Sequence, residues 1–389
     1  MRIALVEATR KPTDYPVALL KLGAWRRECG DEVALYRKAL PQAGEFDEIW
    51  VSSVFTYDTP YAVGLVTEAK RRAPVVKAGG IAPSLLPHHF AGAGAEVHVG
   101  LVPEAEDVTP AYDLLPEAPA YTVTHASRGC CRACGFCMVS RLEPEYRDRA
   151  RWPLDLVPGA REVIFYDNNW LAKPHAALAR DVETIKRLAA EGSIVSVDFN
   201  QALDARLMTE KLADLLADLP IRPVRFAFDN MATDGHYQRA VRWMAERGHT
   251  QFMALVLYNY LDTPADFYYR LRQTVELCAE LQVSVASFPM PYQPILEVDS
   301  RRAYVGRYWT PQQKRGFGVI RSAHSGASGG ITPKSKSFMA NLEEFEFWFG
   351  ATPEEFVRRI SYPRVKEWAQ RKKGELRQMR LEARGRVLA

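Results

Sequence analysis

Between Ser127 and Cys137 the chain reads SRGCCRACGFC, so that four of the six cysteines of a 389-residue sequence fall within eight consecutive positions. Thiolates are soft anionic ligands, and where disulfides are rare such a group points to metal binding or redox chemistry before covalent stapling. Cys130, Cys134 and Cys137 form C-x3-C-x2-C. A short loop can present three thiolates at these spacings to a cubane iron–sulfur cluster. A closed structural zinc site wants four ligands, commonly as two distant C-x2-C pairs, and the sequence has no second pair. Three ligands on four irons leave one iron open to a substrate or cofactor. Cys131 is a bystander in this register, because a motif starting there leaves no reason for Cys130. Zinc and a redox-sensing thiol patch are the plainer readings of the same sulfurs. Cys29 and Cys278 stand alone and read as buried small hydrophobes.

The composition is that of a large globular chain: 47% hydrophobic and 25% charged residues, enough for a sizeable core in two or three units. No apolar run reaches a membrane span, and MRIALVEATRKPTDY lacks the pattern of a secretory signal, so a cytoplasmic location and no membrane partner are expected. A net charge of +4 is mildly basic, which permits a polyanionic partner without requiring one.

Ahead of the cysteines, strands and helices alternate. RIALVEA, EVALYR, EIWVSSVF, VVKAGG and EVHVG read as strands, YPVALLKLGAWRRECG and PYAVGLVTEAKRRAP as helices. This alternation predicts a parallel sheet with helices on both faces. Beyond the cysteines the rhythm lengthens. EVIFYDNN, IVSVDFN, VRFAFDN, QFMALVLYN and VSVASFPM are apolar runs, most followed by a polar turn and a helical stretch, the pattern of a partial or complete βα barrel whose functional groups sit at the carboxyl ends of its strands. Polar residues fall at those ends: Asp167, Asn168 and Asn169, then Asp198, Asn200 and Gln201, then Asp229 and Asn230, then Tyr258 and Asn259. Each Asn or Asp taken singly is also an ordinary turn or cap residue. Four such ends in succession point to a shared polar pocket.

The cysteine motif, with Phe136 just before its last cysteine and ASRG leading into it, resembles the signature of the radical S-adenosylmethionine (radical SAM) superfamily. The resemblance implies that Cys130, Cys134 and Cys137 hold a [4Fe–4S] cluster, and that the open iron chelates S-adenosyl-L-methionine, whose reductive cleavage starts radical chemistry on a substrate. By the same resemblance Phe136 belongs to the cofactor-binding loop, Asp167 and Asn168 stand where the methionine amino group is bound, and Asp229 and Asn230 stand where the carboxylate or ribose is approached. Asp262 and Thr263, in YNYLDTPADF, more plausibly cap the next helix. The front of the chain resembles the cobalamin-binding-type domain that precedes many radical SAM barrels. Its acidic end element survives only as GLVPEAE, and no Asp-x-His-x-x-Gly offers a lower ligand to cobalt. Cobalamin is therefore a possible further cofactor, lined by Val54–Tyr61 and Gly79–His89, with Tyr57, Thr59 and Ser84 offering hydrogen bonds.

The expected architecture is α/β: a Rossmann-like, cobalamin-binding-type domain over 1–115, a partial (β/α) TIM-type radical SAM barrel over 116–300, and a mixed, helical C-terminal extension over 301–389. In that extension RRAYVGRYW (Arg301–Trp309) interleaves basic and aromatic residues without periodicity, HSGASGGITPKSKS is rich in Gly, Ser and Lys, and the last 25 residues read as a charged helix with a solvated face. The function this implies is modification of a small-molecule, nucleotide, nucleic-acid or natural-product substrate, by cobalamin-dependent methylation or a rearrangement, fed by an electron donor such as flavodoxin or ferredoxin. The sequence singles out no catalytic residue. The alternative is an iron–sulfur electron relay or redox sensor that does not cleave S-adenosylmethionine.

Overall fold

The computed structural model describes residues 1–11, 14–298, 301, 303–325 and 342–375, with the side chains at 324 and 325 excepted. The chain divides into two compact units, Met1–Gln201 with Gln293–Ala303, and Ala202–Tyr292 with Tyr304–Ala389.

The first unit begins with β1 (Arg2–Glu7), whose residues 3 to 7 are all buried, as a strand covered on both faces must be. After α1 (Val17–Glu28) come β2 (Glu32–Arg37), β3 (Glu48–Ser52), α2 (Thr59–Ala69), β4 (Val75–Gly79), α3 (Ile81–Leu85), α4 (Pro87–Gly92) and β5 (Glu96–Val97). All five strands run parallel in the order β2-β1-β3-β4-β5, that of an open, doubly wound sheet. The period of two along β1 divides the core. Ile3 and Leu5 pack with Leu19 of α1 and Val33, whereas Ala4 and Val6 join Ile49, Val51, Ala62, Val66 and Phe90 on the face covered by α2 and α4.

A second parallel sheet in this unit carries the cysteines. Its strands are β6 (Thr122–Thr124), β9 (Glu162–Phe165) and β10 (Ser196–Phe199), in the order β10-β9-β6. Between β6 and β9 lie an antiparallel pair, β7 (Ser127–Arg128) and β8 (Arg147–Asp148), and the single turn α5 (Val139–Leu142), which brackets the cysteine loop. Phe165 and Phe199 stack at 5.2 Å across the two strands, flanked by Trp152 and Trp170. The helix α6 (His175–Ala190) buries Leu178, Val182 and Ile185, three or four residues apart, as one apolar stripe.

The second unit holds α7 (Glu210–Leu216), β11 (Val224–Ala227), α8 (His236–Glu246), β12 (Gln251–Tyr258), α9 (Pro264–Leu281), β13 (Ser284–Pro291), α10 (Pro311–Ser325), α11 (Leu342–Phe349) and α12 (Pro353–Ile360). Its strands are parallel in the order β11-β12-β13, with β12 and β13 paired over eight residues. The long α9 packs on β12 and β13 and also meets α11 and α12. Phe267, Phe317, Phe349 and Phe356 knit these helices together. Gly316 lets α10 close on α12: a Cβ there would lie 1.9 Å from the Ile360 carbonyl oxygen.

All ten sequence-read strands occur, though β5 is only two residues long and EIWVSSVF is extended for five. The sequence reading missed β6, because TVT between polar turns is too short to show a period. Cys278 is buried as expected, but Cys29 is exposed, since it caps the carboxyl end of α1, beyond the residues that helix buries. The aperiodic Arg301–Trp309 segment ends in core rather than groove: Trp309 is buried against Tyr258 and Phe267 and its Nε1 donates to the Asp262 carbonyl at 3.0 Å. Most of HSGASGGITPKSKS lies outside the described residues, as does the chain after 375. The helix at 365–375 buries Val365 and Ala369, four residues apart, so its sparse apolar positions form a seam under an otherwise solvated helix. No helix among the described residues is long and apolar enough to cross a membrane.

Candidate metal and cofactor site

The cysteine loop leaves the carboxyl end of β6 through a turn at Ala126 that is gripped from both sides. The Ala126 N–H donates to Asp167 Oδ2 at 2.9 Å, and Ser127 Oγ donates to Asp167 Oδ1 at 2.5 Å. Lys173 Nζ donates to the Ala126 carbonyl at 2.7 Å, and Lys173 is itself held by Asp148 and Asp181 with no solvent exposure. Burial pushes the Asp167 carboxyl up to about 6, although both hydrogen bonds and the charges of Lys173 and Arg128 pull the other way. His125, in the same turn, is held well below its usual range by burial and by the nearby Arg128, Arg149 and Lys21, so its imidazole is neutral.

Two residues before the first motif cysteine, Arg128 makes a two-pronged ion pair with Glu106, at 2.9 and 3.0 Å, and approaches Glu143 at 3.5 Å. Glu143 then closes the loop: its Oε2 accepts from the Gly129 N–H at 2.8 Å and from Asn168 Nδ2 at 2.7 Å. Gly129 sits at φ +78°, where a Cβ would lie 2.3 Å from the Glu145 carbonyl oxygen, so no other residue fits without moving the backbone. These contacts place Asp167 and Asn168 behind the loop, as its anchors.

Cys130 Sγ accepts from the Arg132 N–H at 3.4 Å and from Asn169 Nδ2 at 3.5 Å, and Asn169 reaches Cys131 Sγ at 3.9 Å. Cys134 and Cys137 are joined by a turn in which the Cys137 N–H donates to the Cys134 carbonyl at 2.9 Å. None of the four is in a disulfide. The three of the motif are half-buried and Cys131 is exposed. N–H donors to sulfur stabilise a thiolate and tune the potential of a cluster bound to it, so this donor set suits an iron–sulfur cluster. Among the described residues no three His, Cys, Asp or Glu side chains stand close enough to share one metal ion; thiolates on separate irons of a cubane do not have to.

Phe136 and Met138 form one wall of a cavity of about 190 Å³. Val54, Phe55, Thr56 and Tyr57 from the carboxyl end of β3 form a second wall, and Gln293, Pro294, Ile295 and Glu297 a third. Phe55 and Tyr57 stack at 5.0 Å with their planes 12° apart, which stiffens the second wall. This is the edge of the front sheet where its order reverses between β1 and β3, the position at which open α/β sheets bind ligands. Of the other two residues expected to offer hydrogen bonds there, Ser84 Oγ accepts from the Gly100 N–H at 3.0 Å, and Thr59 is buried in the first turn of α2. The cavity is smaller than the roughly 300 Å³ at which ligand pockets usually begin.

In the second unit the polar strand ends are mostly occupied with their own backbone. Asn230 caps the turn after β11 by accepting from the Ala232 N–H at 3.0 Å. Asp229 Oδ1 accepts from the Leu257 N–H at 3.2 Å, and burial pushes this carboxyl up to about 6 against the pull of Arg270. Asn259, fully buried at φ +66°, binds the Tyr292 and Tyr304 carbonyls and the Gly306 N–H, fastening the segment before α10 to the end of β12. Thr263 caps α9 in a capping box with Asp266, as expected. Asp262 instead pairs with the buried Arg270 at 2.7 Å.

Sequence reasoning missed Glu106, Glu143, Lys173 and Asp181. Their partners lie 8 to 47 positions away, at no helical or strand spacing. The one visible signal was the acidic GLVPEAE segment, whose Glu106 grips the arginine beside the cysteines.

No protein-family model matches the sequence, and no match to a curated protein reaches significance. Among solved structures, the chain is similar to the radical S-adenosylmethionine methyltransferase TsrM from Kitasatospora setae, determined with cobalamin and a [4Fe–4S] cluster bound. The TM-score is 0.58 at 14% sequence identity, covering 92% of this chain and 84% of that one. At that identity the likeness speaks for architecture, and the chain has the fold of a cobalamin-containing radical S-adenosylmethionine methyltransferase.

Proposed function

We propose that this protein is a radical SAM enzyme that transfers a methyl group, with a [4Fe–4S] cluster on Cys130, Cys134 and Cys137 and cobalamin as a second cofactor. The observation that carries this reading is the coincidence of a C-x3-C-x2-C loop, braced at the end of β6, with a fold shared along nearly the whole chain with a methyltransferase of that type. When bound, the cluster would supply an electron and an open iron to S-adenosylmethionine, and cobalamin would supply a methyl carrier. The chain's own residues do the positioning. Asp167, Lys173 and Glu143 fix the loop backbone, Arg132 and Asn169 direct N–H groups at Cys130, and Phe136 and Met138 shield the loop from the side of the β3 loop. Asp229 Oδ2 accepts no bond among the described residues, which supports Asp229 over the capping Asn230 as a cofactor contact. In this reading residues 1–115 are the cobalamin-binding-type domain, 116–300 a partial (β/α) radical SAM barrel, and 301–389 an extension. The enzyme would work in the cytoplasm with flavodoxin or ferredoxin as electron donor.

The test is anaerobic reconstitution with iron, sulfide and hydroxocobalamin, followed by dithionite and S-adenosylmethionine. Wild-type protein should turn brown, retain about one corrin per chain after desalting, and release 5′-deoxyadenosine or S-adenosylhomocysteine. Cys130→Ala, Cys134→Ala and Cys137→Ala should each lose the chromophore and Cys131→Ala should keep it. Loss with Cys131→Ala alone would put the register elsewhere. A brown protein that leaves S-adenosylmethionine intact would be an electron relay, and one that turns it over without retaining corrin would leave the front domain as a wall.

A further inference from the structure

Charge is distributed unevenly along the chain. Residues 301–389 carry 19 Lys and Arg against 8 Asp and Glu, although the whole protein is only +4. Part of this excess is gathered in one place within the second unit. A surface cleft of about 450 Å³ runs between α10 and the helix at 365–375, lined by Arg315, Arg321, Ser322, Lys366, Gln370 and Lys373 together with small residues of α10. Lys366, Gln370 and Lys373 recur at the four- and three-residue spacing of one helix face, and the other wall carries Arg315 and Arg321, the latter also donating to the Pro289 carbonyl at 3.3 Å, so cations line both walls. None of the described residues lining the cleft is acidic. Like charges across a cleft repel, and an occupant that supplies several negative charges turns this repulsion into binding.

Exposed aromatic rings stand at the same end of α10. Tyr308 is 48% exposed, with the Arg307 guanidinium 5.5 Å from its ring centroid, three residues before α10 begins. Tyr362 is 45% exposed, and its carbonyl accepts from Gln312 Nε2 at 2.8 Å, while the Oε1 of that same Gln312 accepts from Arg315. Two solvent-facing tyrosines at the start of the helix that walls a concave basic cleft make a combination suited to unpaired bases and their phosphates. A flat lipid surface does not enter a cleft, and the apolar residues here that could anchor a membrane, Phe317 and Ile320 of α10, are buried.

We infer that the C-terminal unit binds single-stranded nucleic acid, with phosphates in the cleft between Arg315, Arg321, Lys366 and Lys373 and bases stacked on Tyr308 and Tyr362. The inference does not depend on the chemistry of the cysteine loop and is testable on protein without any cofactor. Full-length chain is titrated into a fluorescent single-stranded RNA of about twelve nucleotides, a length within the span of one single-strand site. Four phosphate contacts predict a plot of log affinity against log salt with a slope of about −3. Lys366→Glu with Lys373→Glu should reduce the magnitude of that slope to about 1 and weaken binding by tenfold or more at about 50 mM salt. Tyr308→Ala with Tyr362→Ala should weaken binding several-fold and leave the slope unchanged. Unaltered thermal melts show that the variants fold, and the same reversal in the separate variant Arg315→Glu is the check if the double variant does not. Absence of binding, binding indifferent to these reversals, equal binding of duplex, full competition by inorganic phosphate, or preference for phosphatidylserine vesicles or an acidic protein would each overturn the inference.

Discussion

The two units organise the carboxyl ends of their strands with side chains of opposite charge. In the first, a buried anion, Asp167, collects donors: the Ala126 N–H and the Ser127 hydroxyl of the turn that launches the cysteine loop. In the second, a buried cation, Arg270, collects acceptors: the Phe228 carbonyl after β11 at 2.9 Å, the Leu257 carbonyl near the end of β12 at 2.7 Å, and the Asp262 carboxylate. Both solve the same problem, since backbone groups released where a sheet ends must be paired when water is excluded. The difference lies in what the backbone does next. After β6 the chain turns abruptly and exposes N–H groups toward β9, so an acceptor serves. After β11 and β12 it runs on toward helices, leaving carbonyls for a donor with several N–H groups to gather. The lesson is that Asp at a strand end has backbone work of its own: Asp167 accepts from the turn that launches the cysteine loop, and Asp229 accepts from Leu257 of the neighbouring strand.

The largest expected effect comes from crowding the anchored turn. Gly129→Ala forces a Cβ to 2.3 Å from the Glu145 carbonyl oxygen at positive φ, so the loop must move and reconstituted iron content should fall to background, while the melt of the second unit's core is little changed. Iron loading at the wild-type level would show that Arg128, Glu106 and Glu143 do not fix the cysteines.

Removal of the cation comes next. Arg270→Ala strands a buried carboxylate and two carbonyls, and should cost about 3–5 kcal/mol in denaturant unfolding. A loss below about 1 kcal/mol would mean that water replaces the guanidinium and that the contrast between the units is superficial.

The anion should be more forgiving, and in a way that reveals its job. Asp167→Ala orphans the Ala126 N–H and the Ser127 hydroxyl and should lose about 2–3 kcal/mol together with most of the iron. In Asp167→Asn the amide oxygen can still accept from Ala126 and the amide nitrogen can donate to the Ser127 hydroxyl, so iron should be retained. If Asn abolishes iron binding as fully as Ala does, the negative charge and not the hydrogen bonds is what matters.

The smallest effect is a pH dependence in the second unit. Burial holds the folded Asp229 carboxyl at about 6, above the ~3.9 of an unfolded chain, so the folded state binds more protons between these values and stability falls as pH rises through them. Asp229→Asn should flatten that part of the profile and make the variant the more stable of the two above about pH 6. An unchanged slope would mean that the Asp229 carboxyl is solvated in the folded state.

Much of the fold was legible because its signals are local. The apolar run of RIALVEA marks a strand covered on both faces, and the alternating elements around it imply a parallel sheet, since both patterns depend on neighbours a few residues apart. The cysteine spacing was legible for the same reason, being a property of one loop. The capping role of Thr263 followed from its position before Pro264 and Asp266.

The sequence by itself therefore determined which elements form, where the thiols gather and that polar residues end the strands. Only the tertiary structure decided what those polar residues do. Asp167 reaches back 40 positions to Ser127, Glu106 forward 22 to Arg128, and Arg270 across two strands, so each assignment rests on a partner brought near by the packing of distant elements. The same holds for exposure: Trp309 and Tyr308 are adjacent in a segment without periodicity, yet one is core and the other faces water, because the Asn259 contacts to Tyr304 and Gly306 fix which way that segment turns. Hydrogen bonds and burial are properties of proximity in space, and a chain's local pattern constrains only proximity along itself.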